Sequence, residues 1–178
     1  MSPTAPQLTA TDSLDAKHAR LRAVIGDYRS ALVCFSGGVD STLLLRVAHD
    51  VLGDRCLALT AVSVTMAKSE RRAAVDLAET IGARLEVVDS HELERPGFAQ
   101  NPTDRCYHCK AELLEIAGPR ARSLGLNELV LGTNLDDLGD HRPGLSAANE
   151  RGARHPMVVA GLTKADIRTL SRQLGLPT

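Results

Sequence analysis

Aromatic residues are scarce in this chain of 178 residues: they make up 2% of it, with two Tyr, two Phe and no Trp. Proteins that bind single-stranded nucleic acid stack the bases on aromatic side chains, so such platforms are poorly supplied here. A surplus of positive charge is also missing, because 21 Lys and Arg stand against 22 Asp and Glu, for a net charge of −1. This composition disfavours nucleic acid as a partner.

Long apolar runs are missing too. No stretch has the roughly 20 apolar residues that a membrane-spanning helix needs, and the first 13 residues, MSPTAPQLTATDS, contain no apolar signal core. We therefore expect no membrane partner and a cytoplasmic location. Cysteine is limited to four residues, two in apolar runs and two in a Cys-x-x-Cys pair. In a reducing compartment this spacing favours metal or redox chemistry over a structural disulfide.

Apolar runs alternate with helical patterns after a Pro- and Thr-rich tail, which we place at residues 1–13. The strand-like runs are ALVCFS, CLALTAVS, RLEVVDS, NELVLGTN and HPMVVAGL. Helical patterns separate them, and the one that begins near Cys106 should break at Gly118 and Pro119. Such alternation predicts right-handed βαβ units. We expect one α/β domain over residues 14–178, with a Rossmann-like parallel sheet of about five strands and helices on both faces.

The first predicted strand leads into SGGVDS, residues 36–41, which opens a helix. Ligands of open α/β sheets bind at this edge, where glycines and a helix N-terminus offer backbone N–H groups to anions. A carboxylate cannot bind phosphate directly, so Asp40 suits a hard cation such as Mg²⁺. The alternative is a glycine turn without a ligand. The predicted ligand contacts are Ser36, Gly37, Gly38, Asp40, Ser41 and Thr42, with Asp40 and Ser41 assigned to catalysis.

Two familiar phosphate loops do not fit this hexapeptide. The dinucleotide fingerprint G-x-G-x-x-G requires a third glycine, and the Walker loop requires a lysine before its Ser or Thr. Neither is present in residues 36–41. The loop therefore predicts a polyphosphate site of another type.

A second polar segment, GTNLDDLGDHRPG at residues 132–144, follows the fourth predicted strand and so reaches the same edge of the sheet. The clustered acids Asp136, Asp137 and Asp140 would repel one another unless a cation, Arg142 or Arg154 neutralises them. The alternative is a solvated loop in which an Asp caps a helix. The predicted roles are nucleotide contact for Gly132, Thr133 and Asn134, phosphate contact for Arg142, and magnesium binding for Asp137 beside Asp40.

These motifs carry a resemblance to a known family. SGGVDS resembles the pyrophosphate loop of the N-type ATP pyrophosphatases. NPTDRCYHCK, at 101–110, and residues 132–144 resemble the ATP-dependent sacrificial sulfur transferases of the LarE type, and the likeness extends over 14–178. The resemblance implies an adenine nucleotide alpha hydrolase-like fold that binds ATP and Mg²⁺, in a homo-oligomer.

The reaction that the resemblance implies begins with adenylation of a carboxylate on a pyridinium dicarboxylate mononucleotide, with release of pyrophosphate. The adenylate then becomes a thiocarboxylate during synthesis of a nickel-pincer cofactor. Thiolation of another acceptor such as tRNA is an alternative. A nucleotide-binding module without chemistry is a second.

The source of sulfur is not assigned by the sequence. In the family, the sulfur-donating cysteine and a further domain follow the helix that ends here at Leu174–Gly175, and we expect both to be absent from this chain. Cys106 and Cys109 lie in the first turn of a predicted helix, which lowers thiol pKa. Some thiolating relatives hold a 4Fe–4S cluster on three cysteines, so this pair with one more cysteine would suit such a cluster. A zinc site, with His108 close by, would need four ligands, and a reduced pair without metal is the remaining alternative.

Overall fold

A computed structural model of the chain describes residues 12–63, 66–90, 105–139 and 148–177, with side chains except at Ser63 and 105–112. Four parallel strands form one sheet in the order β3-β2-β1-β4. The strands are β1 Ala31–Cys34, β2 Cys56–Ser63, β3 Arg84–Ser90 and β4 Glu128–Val130. After β1 the chain adds β2 and β3 on one side of that strand and then crosses over to add β4 on the other side. The switch point therefore lies between β1 and β4, and open α/β sheets bind ligands at such points.

Helices cover both faces of this sheet. Because β1 is buried on both sides, its side chains alternate between two apolar clusters: Ala31 and Val33 join one, Leu32 and Cys34 the other. The helices are α1 Leu14–Gly26, α2 Val39–Leu52, α3 Lys68–Ile81, α4 Arg105–Ser123, α5 Pro156–Val159 and α6 Lys164–Gln173, with 3₁₀ turns at Gly53–Arg55 and Leu135–Leu138. The first cluster includes residues of α1, α2 and α6, and the second includes residues of α4.

The predicted Rossmann-like α/β fold is confirmed, but the fifth predicted strand is not a strand. HPMVVAGL contains the helix α5, with Pro156 in its first turn, where the fixed φ of proline suits a helix. Only Arg154, just before it, makes an isolated parallel bridge to Val130. Gly161, at φ 75°, then turns the chain towards α6. The sheet of the described residues has four strands.

A second difference concerns α4, which runs through Pro119 to Ser123 instead of breaking near Gly118. The fourth strand is also shorter than predicted, since β4 ends at Val130 and Gly132 already belongs to the loop. Among the described residues, no helix has the length and apolar character to cross a membrane.

The start of α6 is fixed by a reciprocal cap. Thr163 Oγ1 accepts a hydrogen bond from the Asp166 N–H, while Asp166 Oδ2 accepts one from the Thr163 N–H. Lys17 Nζ of α1 lies 2.6 Å from the same Asp166 oxygen. Burial opposes ionisation of Asp166, but the hydrogen bonds from Lys17 and Thr163 outweigh it and lower the pKa of this carboxyl. The cap thus anchors the helix that begins at Lys164.

We expect Asp166→Asn to lower the free energy of unfolding at pH 7 by about 1 kcal/mol, because the amide can still accept the cap hydrogen bond but loses the ion pair with Lys17. Because the pKa of Asp166 is lowered on folding, its stabilisation is present above the unfolded pKa and is lost as pH falls through the folded pKa. Urea unfolding from pH 7 down to pH 2 should show the two proteins converging in acid. Asp76→Asn, which removes the exposed pair with Arg72, is the control and should change stability little. An equal gap at every pH would contradict the role of the charge.

Candidate functional site

A cavity of about 400 Å³ lies at the carboxyl edge of the sheet, where β1 and β4 diverge. It brings together the two segments that the sequence analysis singled out, although nearly 100 residues separate them in the chain. Thr60 and Ser90 line it from β2 and β3, and the remaining polar lining comes from the glycine loop, from the segment after β4 and from the first residue of α6. The described residues of these three segments that line the cavity are Ser36, Gly38, Asp40, Ser41, Gly132, Thr133, Asp137 and Lys164.

The glycine loop is held in shape by its own serine hydroxyls. Ser41 Oγ donates to the Gly38 carbonyl oxygen at 3.0 Å and accepts from the Ser36 N–H at 3.2 Å. Ser36 Oγ lies 3.1 Å from Ser41 Oγ and accepts from the Gly38 N–H at 3.4 Å. Gly37 adopts φ 77°, a left-handed conformation that other residues rarely adopt. The loop is therefore preformed around the start of α2.

The N-terminus of α2 lies beside the cavity and has no side-chain cap among the described residues. Gly38 is its N-cap residue, with no hydrogen bond from a side chain to the first turn. The first N–H groups of a helix have no acceptor within the helix, and together with the helix dipole they attract anions. In this helix the Thr42 N–H already bonds to the Gly38 carbonyl oxygen. The N–H groups before it are those available to a phosphate group.

Thr42, a predicted contact, is placed differently from the other loop residues. Its side chain is 1% exposed, and its hydroxyl has no hydrogen-bond partner among the described residues. It is buried and is not one of the described residues that line the cavity. A role in nucleotide binding therefore stays a prediction for Thr42.

Gly132 brings β4 against the glycine loop. A Cβ atom at this position would lie 3.0 Å from the Ser41 N and 3.1 Å from its Cα. Both neighbours are backbone atoms of the first turn of α2, so they cannot turn aside as a side chain would. Glycine is needed here for close packing of two backbones, which places Thr133 beside the phosphate loop.

Asn134 and Asp137 form a second reciprocal cap, at the 3₁₀ turn Leu135–Leu138. Asn134 Oδ1 accepts from the Asp136 N–H at 2.9 Å, and Asp137 Oδ2 accepts from the Asn134 N–H at 3.1 Å. Asn134 is 2% exposed, whereas Asp137 lines the cavity. Asp136 accepts the Lys164 backbone N–H at 2.7 Å. Helix capping, the alternative to a metal role, is thus what Asp136 does.

Lys164 is a site residue that the sequence analysis missed. Its Nζ lies 2.7 Å from Asp40 Oδ1 and 2.6 Å from Asp40 Oδ2, so the ammonium spans both carboxylate oxygens. The two side chains are 34% and 25% exposed, which leaves the pair accessible from the cavity. One local feature of the sequence could have indicated Lys164: a cation at the first residue of a helix is unfavourable because it opposes the helix dipole, so it needs a nearby counter-charge. Pairing with Asp40 compensates for that position.

The donor set of this cavity fits a magnesium ion. Asp40 and Asp137 both line the cavity, and carboxylate oxygens are the ligands that Mg²⁺ prefers. One Asp137 oxygen accepts a backbone N–H, which orients the carboxylate. Lys164 now occupies the position on Asp40 that a cation would take, so the carboxylate is already suited to positive charge. Among the described residues, no cluster of three or more His, Cys, Asp or Glu residues could hold a metal by itself.

A groove of about 710 Å³ adjoins the cavity on the other side of the glycine loop. It shares Ser36 and Gly38 with the cavity, and α3 contributes Glu70 and Asp76 to its lining. The described lining of the groove has these two acids and no Lys or Arg, whereas the cavity has Lys164 beside its own two acids and borders the start of α2. The cavity is therefore the better polyphosphate site of the two.

Several predicted residues lie outside the described part of the chain. Arg142 and Asp140 belong to residues 140–147, and Cys106 and Cys109 lie in the first turns of α4, where only the backbone is described. Their phosphate, iron–sulfur and metal roles stay predictions. Arg154 is described, and it does not neutralise the acid cluster, because it pairs with Glu128 at 2.8 Å. That pairing raises the pKa of Arg154.

The two described cysteines are both buried. Cys34 lines the cavity at the end of β1, and burial raises the pKa of its thiol to about 12. Burial likewise raises the pKa of Cys56 to about 12. Since the thiolate is the nucleophilic form of cysteine, neither residue is set up to attack an acyl group at neutral pH.

Known proteins resemble the chain in both sequence and structure. It is 36% identical, over 92% of its length, to the pyridinium-3,5-bisthiocarboxylic acid mononucleotide synthase of Lactiplantibacillus plantarum, of which it covers 60%. It is 44% identical, over 92%, to an uncharacterised protein of Synechocystis sp., of which it covers 61%. The chain thus spans about three fifths of the length of these curated relatives.

The solved structures show the same fold at low identity. An NH3-dependent NAD synthetase from Campylobacter jejuni matches 93% of the chain and 75% of its own, with a TM-score of 0.74 and 14% identity. An NMN synthetase from Francisella tularensis matches 94% and 73%, with a TM-score of 0.71 and 16% identity. The sequence model of the NAD synthase family matches residues 22–178. With the SGGVDS loop at the switch point of its sheet, the chain belongs to the NAD synthase family of PP-loop domains.

Proposed function

We propose that this chain is an AMP-forming sulfurtransferase: it uses Mg²⁺-ATP to adenylate a carboxylate of a pyridinium dicarboxylate mononucleotide and converts it to a thiocarboxylate. One observation carries the proposal. The preformed glycine loop, the free N-terminus of α2, two carboxylates and Lys164 all meet at one cavity. The similarity to a pyridinium-3,5-bisthiocarboxylic acid mononucleotide synthase supports the choice of acceptor. A role in nickel-pincer cofactor synthesis, self-association and a cytoplasmic location belong to the same proposal.

The residues of the cavity would divide the binding of ATP among them. The N–H groups at the start of α2 and the hydroxyls of Ser36 and Ser41 suit the β- and γ-phosphates, because donors and a helix dipole stabilise anions. Mg²⁺, when bound, would neutralise phosphate charge, and Asp40 and Asp137 are the residues to hold it. The Lys164 ammonium would then leave Asp40 and pair with a phosphate oxygen, since it needs a counter-charge.

Holding the outer two phosphates leaves the α-phosphorus open to attack. A carboxylate oxygen of the acceptor forms a bond to this phosphorus, and the α–β P–O bond breaks with its electron pair leaving on pyrophosphate. The product is an acyl adenylate, whose carbonyl carbon is a good electrophile. A sulfur nucleophile then adds to that carbon, and AMP leaves with the electron pair of the acyl C–O bond. This second step gives the thiocarboxylate or a thioester that leads to it.

The sulfur donor in that second step is restricted by the buried thiols. Cys34 and Cys56 have pKa values raised to about 12, so they are not the donors under this proposal. Cys106 and Cys109 remain candidates as ligands of a cluster that carries sulfide. An intact-mass measurement after turnover tests a sacrificial cysteine, because loss of hydrogen sulfide would remove about 34 Da. An unchanged mass with thiocarboxylate formed would require sulfide from another source.

The test of the first step uses ATP labelled at the α-phosphate. With Mg²⁺ and the pyridinium dicarboxylate mononucleotide, we expect labelled AMP and unlabelled pyrophosphate, in amounts that depend on the acceptor. ADP and free phosphate would contradict the proposal, because they report cleavage between the β- and γ-phosphates. ATP binding without turnover, even with a sulfide source, would instead favour a nucleotide-binding module. Bulk tRNA in place of the mononucleotide should give no AMP.

Lys164→Met should change two constants in opposite directions. Loss of the ammonium removes a phosphate contact, so the Kd for ATP should rise by about tenfold. The concentration of Mg²⁺ that gives half-maximal activity should fall, because the metal no longer competes with Lys164 for Asp40. Calorimetric titration of ATP and a magnesium titration of pyrophosphate release measure the two effects.

Lys68→Met is the matched control for this variant. Lys68 is also the first residue of a helix, α3, but its side chain is exposed and does not belong to the described cavity lining. We expect both constants to stay within a factor of about two of the wild-type values. A higher magnesium requirement in Lys164→Met would show that the lysine does not compete with the metal.

A further inference from the structure

One side chain of β2, that of Thr60, bonds to the backbone at the start of the glycine loop. Its hydroxyl oxygen lies 2.7 Å from the carbonyl oxygen of Phe35, the residue between β1 and Ser36. A carbonyl oxygen only accepts hydrogen bonds, so the Thr60 hydroxyl is the donor. Thr60 and Phe35 are both buried. The neighbouring strand is thus tied to the residue that precedes the loop.

The Phe35 carbonyl and the Ser36 N–H belong to one planar peptide unit, in which they point in opposite directions. The N–H donates to Ser41 Oγ at 3.2 Å, while the carbonyl oxygen accepts from Thr60. Both sides of this peptide unit are therefore bonded. A half-turn of the unit would break both bonds and direct the carbonyl oxygen, instead of an N–H, towards Ser41.

The orientation of this peptide unit decides how the Ser41 hydroxyl is used. Ser41 Oγ accepts from the Ser36 N–H and donates its single proton to the Gly38 carbonyl oxygen. A carbonyl oxygen directed towards Ser41 would compete with Gly38 for that proton. Gly38 is the N-cap residue of α2, so the loss of this bond would loosen the loop where the helix begins. The N–H groups that suit a phosphate group lie at that helix start.

We propose that Thr60 is a positioning residue: it fixes the Phe35–Ser36 peptide unit and so holds the glycine loop in the shape that binds the β- and γ-phosphates of ATP. The inference rests on the proposed function, because it requires phosphate groups at this loop. Thr60 also lines the cavity, so direct contact with the nucleoside is the competing role. Positioning affects every ligand that the loop binds, whereas nucleoside contact affects ATP alone.

Two substitutions at Thr60 separate these roles. Thr60→Val keeps the branched shape of the side chain but removes the donor, so the Kd values for inorganic pyrophosphate and for ATP should both rise by about three- to tenfold, the effect of one hydrogen bond. Thr60→Ser keeps the hydroxyl and should bind both ligands within about twofold of the wild type. Calorimetric titration of each ligand in the presence of Mg²⁺ measures these constants. An unchanged Kd for pyrophosphate in Thr60→Val would overturn the inference, whether or not ATP binding weakens.

Ile25→Val is the control for a general loss of stability. A lost buried hydrogen bond should destabilise Thr60→Val, and Ile25→Val should be destabilised too, because it removes a buried methylene group from α1. Ile25 belongs to the described lining of neither the cavity nor the groove. Thermal unfolding should show a lower Tm for both variants, but only Thr60→Val should bind pyrophosphate more weakly. Equal weakening in the two would show an effect of stability alone and would overturn the role of Thr60.

A double variant tests whether Thr60 acts through the loop. Thr60→Val and Ser41→Ala each remove a bond of the same peptide unit, so together they should weaken pyrophosphate binding by less than the product of the single effects. Effects that multiply in full would contradict the inference. A wild-type chain that binds neither pyrophosphate nor ATP would overturn the proposed function as well. A wild-type chain that binds both, with pyrophosphate affinity unchanged in Thr60→Val, would overturn the role of Thr60 alone.

Discussion

Asp40→Asn should reduce pyrophosphate release by on the order of 100- to 1,000-fold, the loss seen when one charge-stabilising group is removed from an active site. The amide keeps the volume of the carboxylate but cannot supply its charge to Mg²⁺. The fold should survive, because Asp40 is only partly buried and its ion pair with Lys164 lies at the cavity. ATP binding should weaken far less than turnover. Pyrophosphate release with saturating acceptor, and thermal unfolding, measure the two properties.

Asp50→Asn provides a control on the same helix. Asp50 pairs with Arg46 at 2.9 Å near the other end of α2, where both side chains are about a third exposed. Its loss should leave pyrophosphate release unchanged and cost at most about 1 kcal/mol of stability. Asp40→Asn and Lys164→Met combined should not multiply their effects on magnesium dependence, since the two side chains neutralise each other. Activity above a third of the wild-type value in Asp40→Asn would contradict the role given to Asp40.

Two strands were predicted with their full bounds. β2 and β3 begin and end where the runs CLALTAVS and RLEVVDS do. β3 lies at the edge of the sheet, mixes polar and apolar residues and is mostly half-buried, whereas β2 is a central, mostly apolar strand, as expected for a strand that is covered on both faces. HPMVVAGL has the same apolar character, yet its Met157 is fully buried within a short helix. Periodicity does not distinguish a short buried helix from a strand, and Pro156 was the residue that indicated the difference.

The glycine loop could be predicted because its chemistry is contiguous in the chain. Six consecutive residues supply the turn, the helix start and the carboxylate, and their placement after a strand indicates the edge of the sheet. Lys164 could not be found in this way, because 124 residues separate it from Asp40. Only the packing of α6 against α2 brings the two together.

Gly132 has a steric role that was not predicted from the sequence. Gly132 was predicted to contact the nucleotide because it follows a strand at the ligand-binding edge of the sheet. The structure gives it a steric role, since any Cβ would press on the backbone of Ser41. Sequence patterns indicate that glycine permits a close approach, but only the fold shows which backbone approaches.

Gly132→Ala should therefore be the most damaging change of a single methyl group in this site. The added Cβ would meet the Ser41 N at 3.0 Å, so either the loop after β4 or the start of α2 must move. Overpacking of this kind typically costs about 1–3 kcal/mol of stability. The same movement would displace Thr133 and Asp137 from the glycine loop, so we expect the Kd for ATP to rise by at least about tenfold. Urea unfolding and calorimetric titration of ATP measure the two losses.

Gly139→Ala is the matched control for this change. Gly139 ends the 3₁₀ turn seven residues later, with φ −76°, and a Cβ there would lie 3.8 Å from the Asp136 carbonyl oxygen, an ordinary contact. The same methyl group should therefore leave both stability and the Kd for ATP nearly unchanged. If Gly132→Ala bound ATP as the wild type does, close approach of β4 to α2 would not be what places Thr133 and Asp137 at the phosphates. The two segments of the cavity would then act independently and would not form one site.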